Sequence, residues 1–206
     1  MTRTTRIGAV ATAAATATIL ALALAGCSDS AAPAASGGGA SKSKIALVIK
    51  PLDNTYFGAL AEGAQAEAKK AGVDLTIVAA ENVTDDSGQA TKLNALVTAG
   101  YGCYIVNPTS QTNLLTGLVP VSQAGTPIVT LDLPIDLSAA KDAGVKVTTY
   151  VGTNNETAGA AGGKAMLSLV DQGSQVALIG GLAADPGNIA RLAGFEKEVK
   201  GKLDVT

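Results

Sequence analysis

Four short segments are unusually polar or aromatic for so aliphatic a chain: Lys50-Pro51-Leu52-Asp53-Asn54-Thr55-Tyr56-Phe57, Asn107-Pro108-Thr109-Ser110, Asp132-Leu133-Pro134 and the stretch from Gly180 to Arg191. They offer carboxylates, amides, hydroxyls, an ammonium, a guanidinium and two rings, which are groups for holding a ligand. Bond-making chemistry is poorly supplied. The chain has no histidine, which removes the common triads, most zinc sites and the usual general base. No nucleophile stands with a base unless lysine or carboxylate serves, and no such cluster stands out, so an enzyme is not expected. No cofactor and no metal are expected either. Gly162-Gly163-Lys164 invites a phosphate-loop reading, but Ala158 stands where the first glycine belongs and Ala165 where the magnesium-binding hydroxyl belongs. That stretch falls inside a helical pattern, and its small residues from Ala158 to Gly163 suit close helix packing.

The elements that must position these groups alternate regularly. Ile45–Ile49 is a continuous apolar run, as in a parallel strand buried on both faces. A helix follows with Phe57, Leu60, Ala61, Ala64, Ala68 and Ala71 on one stripe, basic Lys69 and Lys70 in its last turn, and Gly72 as a stop. Leu75–Val78 is the next strand. Asp85, Asp86 or Ser87 caps a second helix, whose Ala90, Leu93 and Val97 share a face before Gly100. Cys103–Val106 and Ile128–Leu131 are strands flanking a helix over Gln111–Ala124, in which Pro120 forces a kink or a late start. Val147–Val151 is a fifth strand, followed by a helix over Thr157–Val170, a strand over Val176–Ile179 and a helix over Asn188–Lys200. Leu203-Asp204-Val205 reads as the start of another strand. Such alternation predicts an α/β fold with a doubly wound parallel sheet, which binds ligands outside the carboxyl ends of its strands. The four polar segments fall there.

The amino terminus sets the location. Arg3 and Arg6 precede a charge-free apolar stretch from Ile7, and Leu24-Ala25-Gly26-Cys27 closes it. A basic start, an apolar core and small residues make a secretory signal peptide, residues 1–26. The closing tetrapeptide resembles the lipobox of bacterial lipoproteins, which implies acylation of Cys27 and a lipid anchor to the membrane. An uncleaved spanning helix fits less well, because Ser28 and Asp29 follow the cysteine directly. Residues 27–44, rich in Ser, Ala and Gly without apolar periodicity, read as a flexible tether. Loss of Arg3 and Arg6 with the leader takes the formal net charge from −2 to −4, which offers nothing to a nucleic acid or to an anionic surface. Cys103 is the one other cysteine. With Cys27 acylated it has no intrachain partner, and it reads as a small buried hydrophobe.

Taken together, IALVIKPLDNTYFGALAEGAQAEAKKAG, YIVNPT, TPIVTLD, VGTNNETAG and ARLAGF resemble the ribose-type periplasmic binding proteins, the substrate-binding components of ABC sugar importers. The resemblance runs from about Lys44 to the last residue. It implies a type I periplasmic-binding-protein-like fold of two lobes that close on a monosaccharide, with 45–153 as the N-terminal lobe and 154–206 as a partial C-terminal lobe. By this likeness Asn54 hydrogen-bonds sugar hydroxyls, Tyr56 and Phe57 pack on the sugar's apolar C–H faces, Asp132 accepts hydroxyl hydrogen bonds and Arg191 donates them. Thr153, Asn154 and Asn155 fall in the first crossing between lobes, the hinge. Leu133 departs from the pattern, since ribose-binding members usually place an arginine there; another pentose, a hexose or a polyol fits as well as ribose. Plainer roles also exist. Asn54 could cap the helix, Phe57 could belong to the core, Arg191 could be a solvated surface residue, and Asn107-Pro108 could be a turn.

The resemblance further implies a monomer that delivers sugar to ABC permease transmembrane subunits at the outer side of the cell membrane. Two helices and one complete strand after Asn154 are few for a second lobe, so an incomplete second lobe is expected. A sensor that presents a sugar or small signal to a membrane receptor is the alternative. A regulator of the lactose-repressor type shares the fold but needs a DNA-binding headpiece where the leader stands.

Overall fold

One strand whose last four side chains are all buried organises the larger sheet. The computed structural model describes residues 43–206; the leader, Cys27 and the tether as far as residue 42 lie outside the described residues. Strand β1 (Lys44–Ile49) is fully apolar after its first residue, and Ala46, Leu47, Val48 and Ile49 are buried whichever way they point. It pairs in parallel with β2 (Asp74–Ala79) on one side and β3 (Cys103–Val106) on the other, Leu47 facing Ile77 and Ile105. Strands β4 (Ile128–Leu131) and β5 (Thr149–Val151) complete a five-stranded parallel sheet of order β2-β1-β3-β4-β5. That order is doubly wound, as the alternation of elements predicts.

Helices α1 (Thr55–Ala71), α2 (Asp86–Val97) and α3 (Leu115–Gln123) cover the sheet. Phe57 and Ala61 of α1 pack on Leu47 and Ile49, while Leu93, Leu114, Leu118 and Val121 pack on Ala46, Val48, Tyr104, Val106 and Ile128 from the other face. Each valine, leucine, isoleucine or phenylalanine among them contributes about 1.5–3 kcal/mol when fully buried. Cap chemistry is where the sequence puts it: Asn54 caps α1, Gly72 ends it in a left-handed conformation, and the Asp85 carboxylate accepts the Gly88 N–H at 2.9 Å.

Four expectations shift. The helix predicted over Gln111–Ala124 starts late, at Leu115, and carries Pro120 exposed in its interior. A short helix, α4 (Leu137–Asp142), was not foreseen; Asp136 caps it by accepting the N–H groups of Ser138 and Ala139 at 2.8 and 2.9 Å. The fifth strand is shorter than Val147–Val151, because the Lys146 N–H turns to the Ser122 hydroxyl and the Thr148 hydroxyl takes the Ile128 N–H. Strand β6 (Gln175–Val176) is likewise shorter than Val176–Ile179.

The smaller lobe is helix α5 (Asn155–Leu169), β6, helix α6 (Pro186–Val199) and β7 (Asp204–Val205), with β6 and β7 paired in parallel. The strand start foreseen at Leu203–Val205 is β7. Helices α5 and α6 meet through glycine. A Cβ on Gly159 would lie 2.0 Å from the Arg191 carbonyl oxygen, and one on Gly194 would lie 2.1 Å from the Glu156 carbonyl oxygen. Close helix packing therefore accounts for the small residues near Gly162-Gly163-Lys164, which lie inside α5 and not at a strand-to-helix turn. Among the described residues no helix is long and apolar enough to cross a membrane.

Candidate ligand-binding cleft

The carboxyl ends of β1, β3 and β4 deliver Lys50, Asn107 and Asp132 to one rim of the sheet. Between β1 and β3 the winding reverses, which opens a crevice. Gln89, fully buried on α2, closes its floor: its amide nitrogen donates to the carbonyls of Ile49 at 3.1 Å and Asn107 at 2.9 Å. The Gln89 oxygen accepts the Thr109 N–H at 2.9 Å and the Asn113 amide at 2.8 Å. Asp86 accepts the hydroxyls of Thr109 at 2.6 Å and Ser110 at 2.7 Å. The Asn107–Ser110 segment is thus largely spent on holding the floor together. The buried Asn107 side chain has no hydrogen-bond partner.

Above this floor lies a cleft of about 380 Å³ between the two lobes. The large lobe contributes Lys50, Phe57, Thr109, Asp132 and Leu133 to its walls, and the small lobe contributes Asn155, Asp185, Asn188 and Arg191. The Lys50 ammonium stands 3.6 Å from an Asp132 carboxylate oxygen and 5.5 Å from the centre of the Phe57 ring. Lys50 is only 8% exposed, so its charge is held by that carboxylate and ring with little help from water. Asp132 has φ of 59°, a left-handed conformation that few residues besides glycine adopt.

Arg191 comes from α6 and is exposed, yet its Nε donates to the Asn155 side-chain oxygen at 2.8 Å. The glycine contacts between α5 and α6 set that distance. Asp185 caps α6 by accepting the Asn188 N–H at 2.7 Å, and the Asn188 side chain accepts the Gly181 N–H at 2.8 Å. Together they fix the 180–182 loop as a cleft wall.

Of the residues singled out in the sequence, Phe57, Asp132, Arg191 and Asn155 line this cleft, and Tyr56 and Asn54 do not. Tyr56 is 58% exposed and sits edge-on to Phe57 with ring centres 5.2 Å apart. The Asn54 side-chain oxygen accepts the Tyr56 N–H at 3.0 Å, the helix-cap role. Thr153 and Asn154 are exposed in the crossing, where the Asn154 side chain caps α5 through the Thr157 N–H at 3.0 Å. Lys50, Asp185 and Asn188 also line the cleft; the sequence marks the segments that hold them but gives these three residues no role of their own. Lys50 carried a signal, being a lone charge directly after a buried strand.

The walls therefore combine one aromatic ring, fixed donors and acceptors, and equal numbers of positive (Lys50, Arg191) and negative (Asp132, Asp185) groups. They can bind and orient a small polar ligand without net charge. The periplasmic binding protein domain matches residues 45–206. The chain belongs to the periplasmic binding protein family. Within that family it is 30% identical over 161 residues to the ribose import binding protein of Bacillus subtilis, covering 78% of this chain and 50% of the relative. It is 31% identical over 156 residues to the D-allose-binding periplasmic protein of Escherichia coli, covering 75% and 50%. Among solved structures, an ABC transporter periplasmic solute-binding protein from Actinobacillus succinogenes with bound D-allose superposes with a TM-score of 0.72 at 27% identity, over 80% of this chain and 58% of that one. These periplasmic binding proteins are solute binders and not enzymes. The chain spans about half the length of the relatives it matches.

Proposed function

We propose that this protein is the extracytoplasmic sugar- or polyol-binding component of an ABC importer. Its lobes close on one small neutral ligand, and permease transmembrane subunits receive that ligand. The observation that carries this reading is the charge-balanced cleft with Phe57 in its wall. A sugar has apolar C–H faces that suit ring contact and a rim of hydroxyls that each need a fixed donor or acceptor. Asp132 accepts from such hydroxyls, and Lys50 and Arg191 donate to them. Leu133 is buried where ribose-binding relatives usually place arginine, so hexoses and polyols belong in any screen beside ribose. Acylated Cys27 would hold the protein to the membrane. A thermal-shift screen against D-allose, D-ribose, other monosaccharides and polyols tests the proposal. A raised melting temperature with at least one sugar or polyol is expected; no shift with any of them overturns it.

A further inference from the structure

Tyr150 belongs to none of the four polar segments, yet it touches the most constrained residue of the cleft. Its hydroxyl donates to the Asp132 main-chain carbonyl at 2.8 Å. The Asp132 N–H donates to the Val151 carbonyl at 2.9 Å. Both main-chain polar groups of Asp132 are therefore gripped by adjacent residues of β5, and the carboxylate is paired with Lys50. An aspartate held at φ 59° persists only where its surroundings over-determine it. Among the described residues it is the single non-glycine residue with positive φ.

The Tyr150 ring is itself confined by the chain that follows. It lies across Gly152, the first residue beyond β5, so that a Cβ there would stand 2.0 Å from the phenol oxygen and 2.3 Å from the adjoining ring carbon. Glycine at 152 leaves the space that the ring occupies. Burial, then the Asp132 carboxylate and then Tyr56, push the Tyr150 hydroxyl's pKa up; a phenol is a donor at neutral pH in any case.

We propose that Tyr150 is a positioning residue for ligand binding: its hydroxyl locks Asp132 in the left-handed conformation that aims the carboxylate into the cleft, and it ties that carboxylate to the segment crossing into the small lobe. The role in ligand binding rests on the sugar-binding reading. The lock itself does not, and it is visible without ligand.

Two substitutions attack the lock from opposite sides. Tyr150→Phe removes the donor and keeps the ring; Gly152→Ala keeps the tyrosine and drives its ring away. In ¹³C,¹⁵N-labelled protein without ligand, the Asp132 backbone chemical shifts should leave left-handed values in both variants. Unchanged shifts in both overturn the lock. In titrations with D-allose and D-ribose, Tyr150→Phe should weaken binding about tenfold, the scale of one lost hydrogen bond. The same change made on top of Asp132→Ala should add nothing. An equal further loss there means that Tyr150 contacts the ligand directly and overturns the positioning role. Absence of binding to both sugars by the unaltered protein, extended to the wider screen, counts against the sugar reading, while the ligand-free shifts still decide the lock.

Discussion

At the scale of single residues, the charged groups of the cleft differ in how much water they keep. Lys50 is buried against Asp132 and Phe57, whereas Arg191 is exposed and steadied by Asn155. Removing the Asp132 side chain takes away a charged acceptor and strands the Lys50 ammonium. Asp132→Ala should therefore weaken binding of the best sugar by roughly 2–4 kcal/mol. Arg191→Ala should cost less, about 1–3 kcal/mol, because water can replace part of what an exposed guanidinium provides. Tyr56→Ala should cost least, since its ring lies outside the cleft lining. Titration calorimetry ranks the three, and near-native affinity in both charge variants with intact folding would place the ligand elsewhere. Lys50 and Asp132 were legible in the sequence because each directly follows a strand, whereas Arg191 lies inside α6 and was legible only through the family resemblance. Asn54 was legible only as two alternatives, a sugar donor or a cap, and its geometry is that of the cap.

At the scale of elements, the position of Arg191 depends on how closely α5 and α6 approach. Gly159 and Gly194 each face a carbonyl oxygen of the other helix at a distance no Cβ tolerates, and backbone cannot yield as a flexible side chain can. Gly159→Val should push the helices apart, lower stability by about 1–3 kcal/mol through overpacking, and weaken sugar binding by breaking the Arg191–Asn155 bond. Thermal melts and calorimetry on one sample test both effects; an unchanged melting temperature contradicts the packing account. The sequence showed the stripe of small residues but not its partner. Helix α4 was missed for a different reason, since six residues carry too little periodicity to register even with a capping Asp136 in place.

At the scale of the whole molecule, burial is uneven. The strands β1 and β3 lie at the centre of a two-faced core, while the small lobe has two strands of two residues each and leaves Leu169, Ile179, Leu182 and Ile189 more than half exposed. Local opening should follow that gradient. Amide hydrogen exchange is expected to be slowest in β1 and β3 and fastest over 170–189; uniform protection would show that the small lobe is as cooperative as the large one. Anchoring is the second property at this scale. Cys27→Ala should abolish lipid labelling and release the protein from the membrane fraction, and retention of that variant would favour an uncleaved leader helix instead.

The sequence by itself determined the alternation of strands and helices, the parallel doubly wound sheet, the caps of α1 and α2 and the grouping of polar residues at strand ends. These follow from local causes: runs of apolar residues, helical stripes and side chains that satisfy nearby N–H groups. Tertiary structure alone decided that Lys50 pairs with Asp132, that Gln89 bridges Ile49 and Asn107, that Tyr150 grips the Asp132 backbone, and that two glycines bring Arg191 to Asn155. Each of these joins residues far apart in the chain or turns on a backbone angle, and neither distance across the fold nor a left-handed φ leaves a mark in local hydrophobic pattern.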